Sequence, residues 1–236
     1  MSLTAELERA RRLDTAELAD AIESLGFECT RCGACCTREE VEDESGETAV
    51  EPHTATVFPD EVRTLQADGE DGEGIDADRE WRDVARPMPY GLSEGKNGPA
   101  GETFEWALQT DACGDCVFYE EDDGLGACTV HADRPLICET YPFSVALDGT
   151  AEPAGEPVDS AGIVRAHECE GLGRDIARED AEELATALKE RAIRELEEAI
   201  SLRENYEPVG ADAGDVVVHD SEGAKGPDGT PANRDG

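Results

Sequence analysis

The spacing of nine cysteines constrains this chain more than any other feature. The first four follow the pattern Cys-x2-Cys-x2-Cys-Cys, and the other five lie between residues 113 and 169. A Cys-x2-Cys pair lets two thiolates converge on one ion while the backbone between them turns, so the spacing predicts metal or iron–sulfur ligation. We therefore predict that the metal ligands are Cys29, Cys32, Cys35, Cys36, Cys113, Cys116, Cys128, Cys138 and Cys169.

Disulfide bonds are the alternative use for these cysteines. The odd number leaves one thiol over, and Cys35 and Cys36 are adjacent, which suits one shared site or two neighbouring sites better than a mutual bond. Residues 1–27 are of mixed charge and lack the apolar segment of a secretory signal, so we expect a cytoplasmic protein, in which disulfides are rare. No stretch approaches the ~20 apolar residues of a membrane span, so no membrane association is expected.

The composition indicates a thin core and an extreme surface charge. Hydrophobic residues make up 38% of the chain and aromatic residues 5%, so bound metal is expected to supply folding free energy that burial does not. The net charge of −38 fits either a basic partner or a halophilic, salt-adapted cytoplasm. The acidic residues are spread along the chain, which favours salt adaptation. Nucleic acid is not an expected partner because no basic patch is visible.

Local patterns predict three helical regions. Residues 3–25 form two helical pieces, with Asp14 as an N-cap and Gly26 as a stop signal. A short helix covers 59–66, and an apolar stripe at helical spacing predicts a long amphipathic helix over 176–206. We expect four consecutive segments: an N-terminal helical segment at 1–26, a cysteine-cluster domain at 27–174, the amphipathic helix at 175–206, and a disordered acidic tail at 207–236.

The cysteine-cluster region is expected to be irregular. Residues 39–52 are predicted to be acidic and irregular, 68–79 to be a mobile loop, and 81–89 to lack a regular element because of two prolines. Short strands are predicted at 103–109 and 116–119, joined through the second Cys-x2-Cys pair, and Pro135 is predicted to open a helical turn that carries Cys138. A valine run at 216–218 offers an alternative to the disordered tail, as an edge strand. The predicted fold is small, irregular α+β, with a metal-stabilised core of short strands, flanking helices and the long C-terminal helix.

The combined motifs resemble a known family. Cys-x2-Cys-x2-Cys-Cys is followed by Cys-x2-Cys-x-Phe, by Cys-x9-Cys enclosing His-x2-Arg-Pro, by Tyr-Pro-Phe and by Cys-x-Gly-x-Gly. Their order and spacing over residues 27–174 resemble the YkgJ-type cysteine-cluster proteins, described as zinc- or iron-chelating domains. The resemblance implies a zinc or iron site and does not imply a specific activity.

The choice of metal stays open at the level of sequence. Cys29, Cys32 and Cys35 repeat the first three ligands of a bacterial ferredoxin run, which favours an iron–sulfur cluster such as [4Fe-4S]. Zinc held by four thiolates is the alternative, and eight cysteines would fill two such sites. Arg134 is expected to neutralise thiolate charge at the site and Tyr141 to lie beside it, while His131 and His167 are possible ligands or hydrogen-bonding partners of ligands.

Two functions from different classes fit these observations. The first is a redox or cluster-carrying protein acting on an unknown substrate. The second is a zinc-stabilised module that binds an unknown protein partner without catalysis. The sequence contains no visible nucleophile–base pair, phosphate loop or pair of catalytic carboxylates, so it decides neither whether the protein is an enzyme nor which residues would be catalytic.

Overall fold

Helices and short strands alternate along the chain in a computed structural model that describes residues 2–42, 46, 48–67, 79–95, 98–147, 149, 155–209 and 215–232. The helices are α1 (Leu3–Arg11), α2 (Thr15–Leu25), α3 (Pro59–Ala67), α4 (Trp81–Val84), α5 (Leu136–Thr140) and α6 (Arg178–Asn205). The strands are β1 (Glu39–Glu42), β2 (Thr48–Glu51), β3 (Thr56–Val57), β4 (Ala85–Pro87), β5 (Leu92–Gly95), β6 (Gly98–Thr103), β7 (Trp106–Leu108), β8 (Tyr119–Asp122), β9 (Leu125–Cys128), β10 (Phe143–Val145), β11 (Glu156–Pro157), β12 (Val164–Ala166), β13 (Val216–Asp220) and β14 (Gly223–Lys225). This mixture of helices and small sheets confirms the predicted irregular α+β fold.

The chain forms two compact units, each assembled from two separate stretches of sequence. The first unit contains Met1–Cys32 and Leu136–Ile200, and the second contains Gly33–Pro135 and Ser201–Gly236. The boundaries of the four consecutive segments expected from the sequence stay a prediction. Within the described ranges, no helix combines the length and apolar composition that crossing a bilayer requires.

The N-terminal helices of the first unit begin and end where the sequence predicts. The Asp14 side chain accepts a hydrogen bond from the Ala16 amide at 2.8 Å and so caps α2. Gly26 follows α2 with a φ of 78°, a left-handed backbone conformation that glycine adopts without steric cost. The chain therefore leaves α2 directly into the first cysteines.

The core of the first unit lies between α2, α6 and the small sheet of β10, β12 and β11. Leu18 and Ile22 of α2 meet Phe143 of β10 and Leu188 of α6, and all four side chains are buried. Burial of each such side chain contributes roughly 1.5–3 kcal/mol to folding. The predicted long helix is confirmed, with ends within two residues of the expected ones.

The second unit is built mainly from sheets. One sheet has the strand order β14-β13-β6-β5 and another has the order β3-β7-β4. Trp106 of β7 is buried and its ring lies 5.0 Å from that of Trp81 in α4, an edge-on aromatic contact. The helix predicted at 59–66 is confirmed as α3, and Val62 and Leu65 contribute to its buried face.

Two regions expected to be irregular contain regular elements. Residues 39–42 and 48–51 form the antiparallel pair of β1 and β2, with Glu40 opposite Val50. Residues 81–87 form α4 and β4, so the expectation that the prolines exclude regular structure is wrong there. Because β4 is an edge strand, Pro87 can occupy its last position without breaking a central ladder. Residues 68–78 of the predicted mobile loop lie outside the described residues.

The predicted disordered tail is wrong for residues 215–232. β13 lies between β14 and β6, pairing in parallel with β6 so that Val217 is opposite Glu102. Val217 and Val218 are buried, which confirms the alternative expectation of a valine strand, but β13 is an interior strand and not the expected edge strand. Residues 207–236 are polar on average, so their composition did not reveal this short apolar run. Burial of the run offsets the entropy cost of ordering it.

Buried charges attach the C-terminal hairpin to the second unit. The Lys225 Nζ lies 2.7 Å from an Asp220 oxygen, and both side chains are less than a tenth exposed. The Trp106 Nε1 donates a hydrogen bond to the same carboxylate at 2.8 Å. The Lys225 ammonium also lies 5.2 Å from the centroid of the Trp81 ring, a cation–π contact. These polar groups therefore satisfy one another inside the unit.

Candidate metal centre

The division between the two units falls inside the first cysteine cluster. Cys29 and Cys32 belong to the first unit, and Cys35 and Cys36 belong to the second. The backbone turns at Gly33, which has a φ of 80°, and the Cys36 amide donates to the Gly33 carbonyl at 2.8 Å. A Cβ atom at this position would lie 2.2 Å from the Tyr119 hydroxyl oxygen, so the turn requires glycine for space as well as for conformation.

Cys35 and Cys36 present their sulfur atoms together. The two Sγ atoms are 3.8 Å apart. Two sulfurs bound at ~2.3 Å to one tetrahedral ion are themselves about 3.8 Å apart, so the pair has the separation of two ligands of a single ion. The hydrogen bond from Cys36 lowers the pKa of the Cys35 thiol to about 7, with a further contribution from the positive charge of Arg134.

Two cysteines from later in the chain join this pair within the second unit. The Cys116 amide donates to the Cys36 carbonyl at 2.9 Å, so an early and a late cysteine are in direct backbone contact. Burial raises the pKa of Cys116 to about 11, and the charges of Cys128 and Cys35 act in the same direction. Burial also raises the pKa of Cys128. These four cysteines, called here the second-unit thiols, are close enough to influence one another's ionisation.

A bound cation would reverse the effect of burial on these thiols. Coordination to a metal ion deprotonates a thiol outright, because the ion's charge replaces the lost solvation of the thiolate. Metal binding at Cys116 and Cys128 is therefore expected to release protons at neutral pH.

The turn that carries Cys113 and Cys116 is organised by Asp111. Its Oδ1 accepts hydrogen bonds from the Cys113 amide at 2.8 Å and the Asp115 amide at 3.0 Å. These backbone hydrogen bonds, that of Asp115 most strongly, lower the pKa of the Asp111 carboxyl. Thr110 pairs with Cys116 across the turn in a single bridge. The predicted pairing of strands at 103–109 and 116–119 is otherwise wrong, because β7 pairs with β3 and β4, and β8 pairs with β9.

Sequence reasoning missed the role of Asp111 and that of a nearby ion pair. The Arg38 guanidinium lies 3.0 Å from an Asp115 oxygen and so joins the segment after the first cysteine cluster to the later turn. Asp111 lies four residues before a second aspartate, with a glycine between them. This combination is typical of turns in which the aspartate side chain accepts hydrogen bonds from the following amides, so it was the available signal for Asp111. Cys113 itself is exposed on this turn.

Arg134 lies where the sequence predicts a neutralising charge. Its charge lowers the pKa of both Cys35 and Cys128, although burial dominates at Cys128. Its Nη1 lies 3.0 Å from the His131 Nε2. The Arg134 Nε is buried and has no hydrogen-bond partner among the described residues, so it offers a donor for a thiolate sulfur. An anionic metal–thiolate group fits this donor set.

The remaining cysteines lie in the first unit. Cys138 is on α5, as predicted, and the Tyr141 hydroxyl donates to the Glu168 carbonyl at 3.2 Å, next to Cys169. Tyr141 thus lies beside a predicted ligand, and its ring stacks on that of His167 with centroids 5.9 Å apart. The expectation that His131 or His167 binds metal stays a prediction.

All nine cysteines are free thiols. Among the described residues, no group of three or more His, Cys, Asp or Glu side chains is arranged so that it could hold a metal ion. The donor chemistry is nevertheless that of a soft-metal site, since thiolates suit zinc and iron. The predicted ligand set as a whole stays a prediction.

A thiol-rich, metal-chelating domain is the class of protein that this arrangement indicates. Residues 28–170 match the family model described as "CxxCxxCC: Putative zinc- or iron-chelating domain". The match covers more than half of the chain, which therefore belongs to this family, and its limits agree closely with the 27–174 region identified from the motifs. No curated protein and no solved structure matches the chain significantly. Family membership supports binding of zinc or iron.

Proposed function

We propose that the protein holds a zinc or iron ion through the second-unit thiols, Cys35, Cys36, Cys116 and Cys128. The observation that carries this proposal is the 3.8 Å separation of the Cys35 and Cys36 sulfur atoms, which fits two ligands of one tetrahedral ion. The backbone hydrogen bond from the Cys116 amide to the Cys36 carbonyl supports Cys116 as a third ligand. The effect of the Cys35 charge on the pKa of Cys128 supports Cys128 as the fourth.

Arg134 has a defined role in this proposal. A divalent ion bound by four thiolates carries a net negative charge, and the Arg134 guanidinium offsets part of it. Its unpartnered Nε–H offers a hydrogen bond to sulfur. We expect Arg134 to hold the thiolates in their charged form and to raise metal affinity without binding the metal.

Two biological roles are compatible with this proposal: a redox or cluster-carrying protein, and a zinc-stabilised interaction module. An iron–sulfur cluster would supply one-electron transfer, and the Cys29-x2-Cys32-x2-Cys35 run supports that redox or cluster-carrying role. The close approach of Cys35 and Cys36 favours a single ion instead, because the cysteine ligands of a [4Fe-4S] cluster bind different irons. A single zinc ion would stabilise the unit as an interaction module and would supply no redox chemistry.

Anaerobic purification followed by elemental analysis and visible absorption tests the proposal. An iron–sulfur protein absorbs in the visible range, whereas a zinc protein is colourless. We expect Cys35→Ser and Cys116→Ser to lose bound metal, and the exposed Cys113→Ser, on the same turn as Cys116, to retain it. Full metal content in Cys35→Ser and Cys116→Ser would contradict the proposed ligand set.

A further inference from the structure

Three aromatic side chains of the second unit, Phe104, Tyr206 and His219, form a cluster that contains no cysteine. The Phe104 ring stacks on the His219 ring with centroids 5.5 Å apart, and the Tyr206 ring meets His219 edge-on at 4.8 Å. The Phe104 and Tyr206 rings are themselves 5.9 Å apart. Phe104 directly follows β6, Tyr206 directly follows α6 and His219 is on β13, all within the second unit. We call these three residues the aromatic cluster.

The aromatic cluster combines a buried histidine with two half-exposed rings. His219 is 1% exposed, whereas Phe104 is 47% and Tyr206 is 40% exposed. Aromatic residues make up only 5% of the chain, and large rings contribute most when their surface is removed from water. Two adjacent rings left half in solvent therefore form an apolar surface that a ligand can cover. The two rings both pack on His219, which fixes their relative position.

A carboxylate without a permanent cationic partner lies beside the aromatic cluster. The Glu102 Oε2 is 3.5 Å from the His219 Nε2, and the Glu102 side chain is 32% exposed. Both His219 nitrogens are buried and have no hydrogen-bond partner among the described residues. Within the part of the chain that the structure describes, no lysine or arginine forms an ion pair with Glu102. Its negative charge is therefore available to a cation from outside the chain.

A guanidinium group is the ligand chemistry that uses both features at once. The face of an aromatic ring attracts a cation that lies within about 6 Å of the ring centroid. A planar guanidinium stacks on such a face while the N–H groups at its edge donate hydrogen bonds to a carboxylate. A lysine ammonium is more strongly hydrated, and a quaternary ammonium has no N–H to donate. The net charge of −38 adds a longer-range attraction for any cationic partner.

We propose that Glu102, Phe104 and Tyr206 form a docking site for an arginine side chain of a basic protein partner. The guanidinium stacks on the exposed rings and donates to Glu102, while His219 positions the rings without contacting the ligand. A surface of two half-exposed rings leaves most of a small molecule in solvent, so a free ligand binds it weakly. A protein adds contacts around its arginine, a residue that is enriched among the strongest contributors to interfaces. The docking site contains no cysteine, so it goes beyond metal binding and does not depend on it.

Nuclear magnetic resonance of the full-length protein, purified anaerobically, tests the docking site in the wild type. The probes are the end-capped peptides Ala-Gly-Arg-Gly-Ala and Ala-Gly-Lys-Gly-Ala, and methylguanidinium. We expect the arginine peptide to shift the ring signals of Phe104 and Tyr206 until they saturate, and to bind at least about threefold more tightly than the lysine peptide. Absence of nuclear Overhauser effects between the arginine side chain and these rings at saturation would overturn the proposal. Methylguanidinium binding as tightly as the arginine peptide would overturn the assignment to a protein partner.

Matched variants separate the docking site from attraction to the net charge. Phe104→Leu and Glu102→Gln should each weaken binding of the arginine peptide by about two- to fivefold. The controls Tyr90→Leu and Glu51→Gln should not, because Tyr90 and Glu51 are exposed residues outside the aromatic cluster. Equal losses in the controls, or equal binding of the two peptides, would overturn the proposal, since the net charge alone explains either result.

Two further measurements on the same variants keep this outcome distinct from others. Tryptophan fluorescence confirms that the second unit is folded, since both tryptophans of the chain lie in it. The bound metal should be unchanged in Phe104→Leu and Glu102→Gln. Loss of metal from either folded variant would overturn the independence of the docking site from the metal, whereas failure of the peptide to bind leaves the proposed metal ligands as they are.

Discussion

Replacing Lys225 with methionine tests whether the buried ion pair of Lys225 and Asp220 stabilises the hairpin of β13 and β14. Methionine keeps most of the side-chain volume and removes the charge that lies 2.7 Å from Asp220. Removing one partner of a buried pair costs about 3–5 kcal/mol, because the other charge stays buried without compensation. The Trp106 N–H still donates a hydrogen bond to Asp220. We therefore expect Lys225→Met to lower the free energy of unfolding by about 3 kcal/mol, the lower end of this range.

A double-mutant cycle of Lys225 and Asp220 separates the energy of the ion pair from that of side-chain packing. Asp220→Asn should cost less, because Lys225 keeps its contact with Glu222 at 2.7 Å. The double variant should recover part of the loss of Lys225→Met, since no charge is then left buried alone. Lys189→Met is a matched control, because the Lys189 Nζ donates a hydrogen bond to a neutral backbone carbonyl, that of Leu13, and lies in the first unit.

Urea unfolding followed by tryptophan fluorescence provides the measurement. The two tryptophans of the chain, Trp81 and Trp106, both lie in the second unit, so their emission reports on that unit. Potassium chloride and metal should be held constant. A loss of unfolding free energy below about 1 kcal/mol in Lys225→Met would contradict this prediction, because the ion pair would then contribute no more than a surface salt bridge does.

Three further predictions follow from the fold and its charge. Truncation after Tyr206 should lower the melting temperature of the second unit, because it removes the buried Val217 and Val218; an unchanged melting curve would restore the view of 207–236 as a tail. Bonds from Arg63 and Lys225 lower the pKa of Glu222 to about 2 from 4.5, so its stabilisation is complete above pH 4.5 and is lost as pH falls toward 2. The stability difference between wild type and Glu222→Gln should therefore be smaller at low pH than at neutral pH, and a constant difference would argue against the ion pairs. Finally, with a net charge of −38, the melting temperature should fall when potassium chloride is lowered or a chelator is added, and indifference to both would contradict metal- and salt-dependent folding.

Local signals in the sequence predicted local structure well. Asp14 and Gly26 mark the ends of α2, the apolar stripe predicted α6, and Pro135 precedes the turn that carries Cys138. Each of these features depends on residues within one or two turns of one another, which is the range over which caps and periodicity act.

Long-range pairing was not predictable in the same way. β13 pairs with β6 more than a hundred residues earlier, and nothing in the valine run specifies that partner. The assignment of all nine cysteines as ligands stays a prediction, and the spacing could not divide them between two units, because the chain changes unit between Cys32 and Gly33. The contribution of Asp111 was also missed, because its effect depends on the folded turn.

The interleaving of the two units sets the order in which this protein can mature during synthesis. The first unit needs residues up to α6, and the sheet of the second unit needs β13, an interior strand that follows α6 in the chain. Domains generally fold as units once their residues are available. The cysteines at 29–36 are therefore synthesised long before either unit can fold, and any metal that they bind would be taken up after α6 and β13 are made. Until then these thiols depend on a reducing environment.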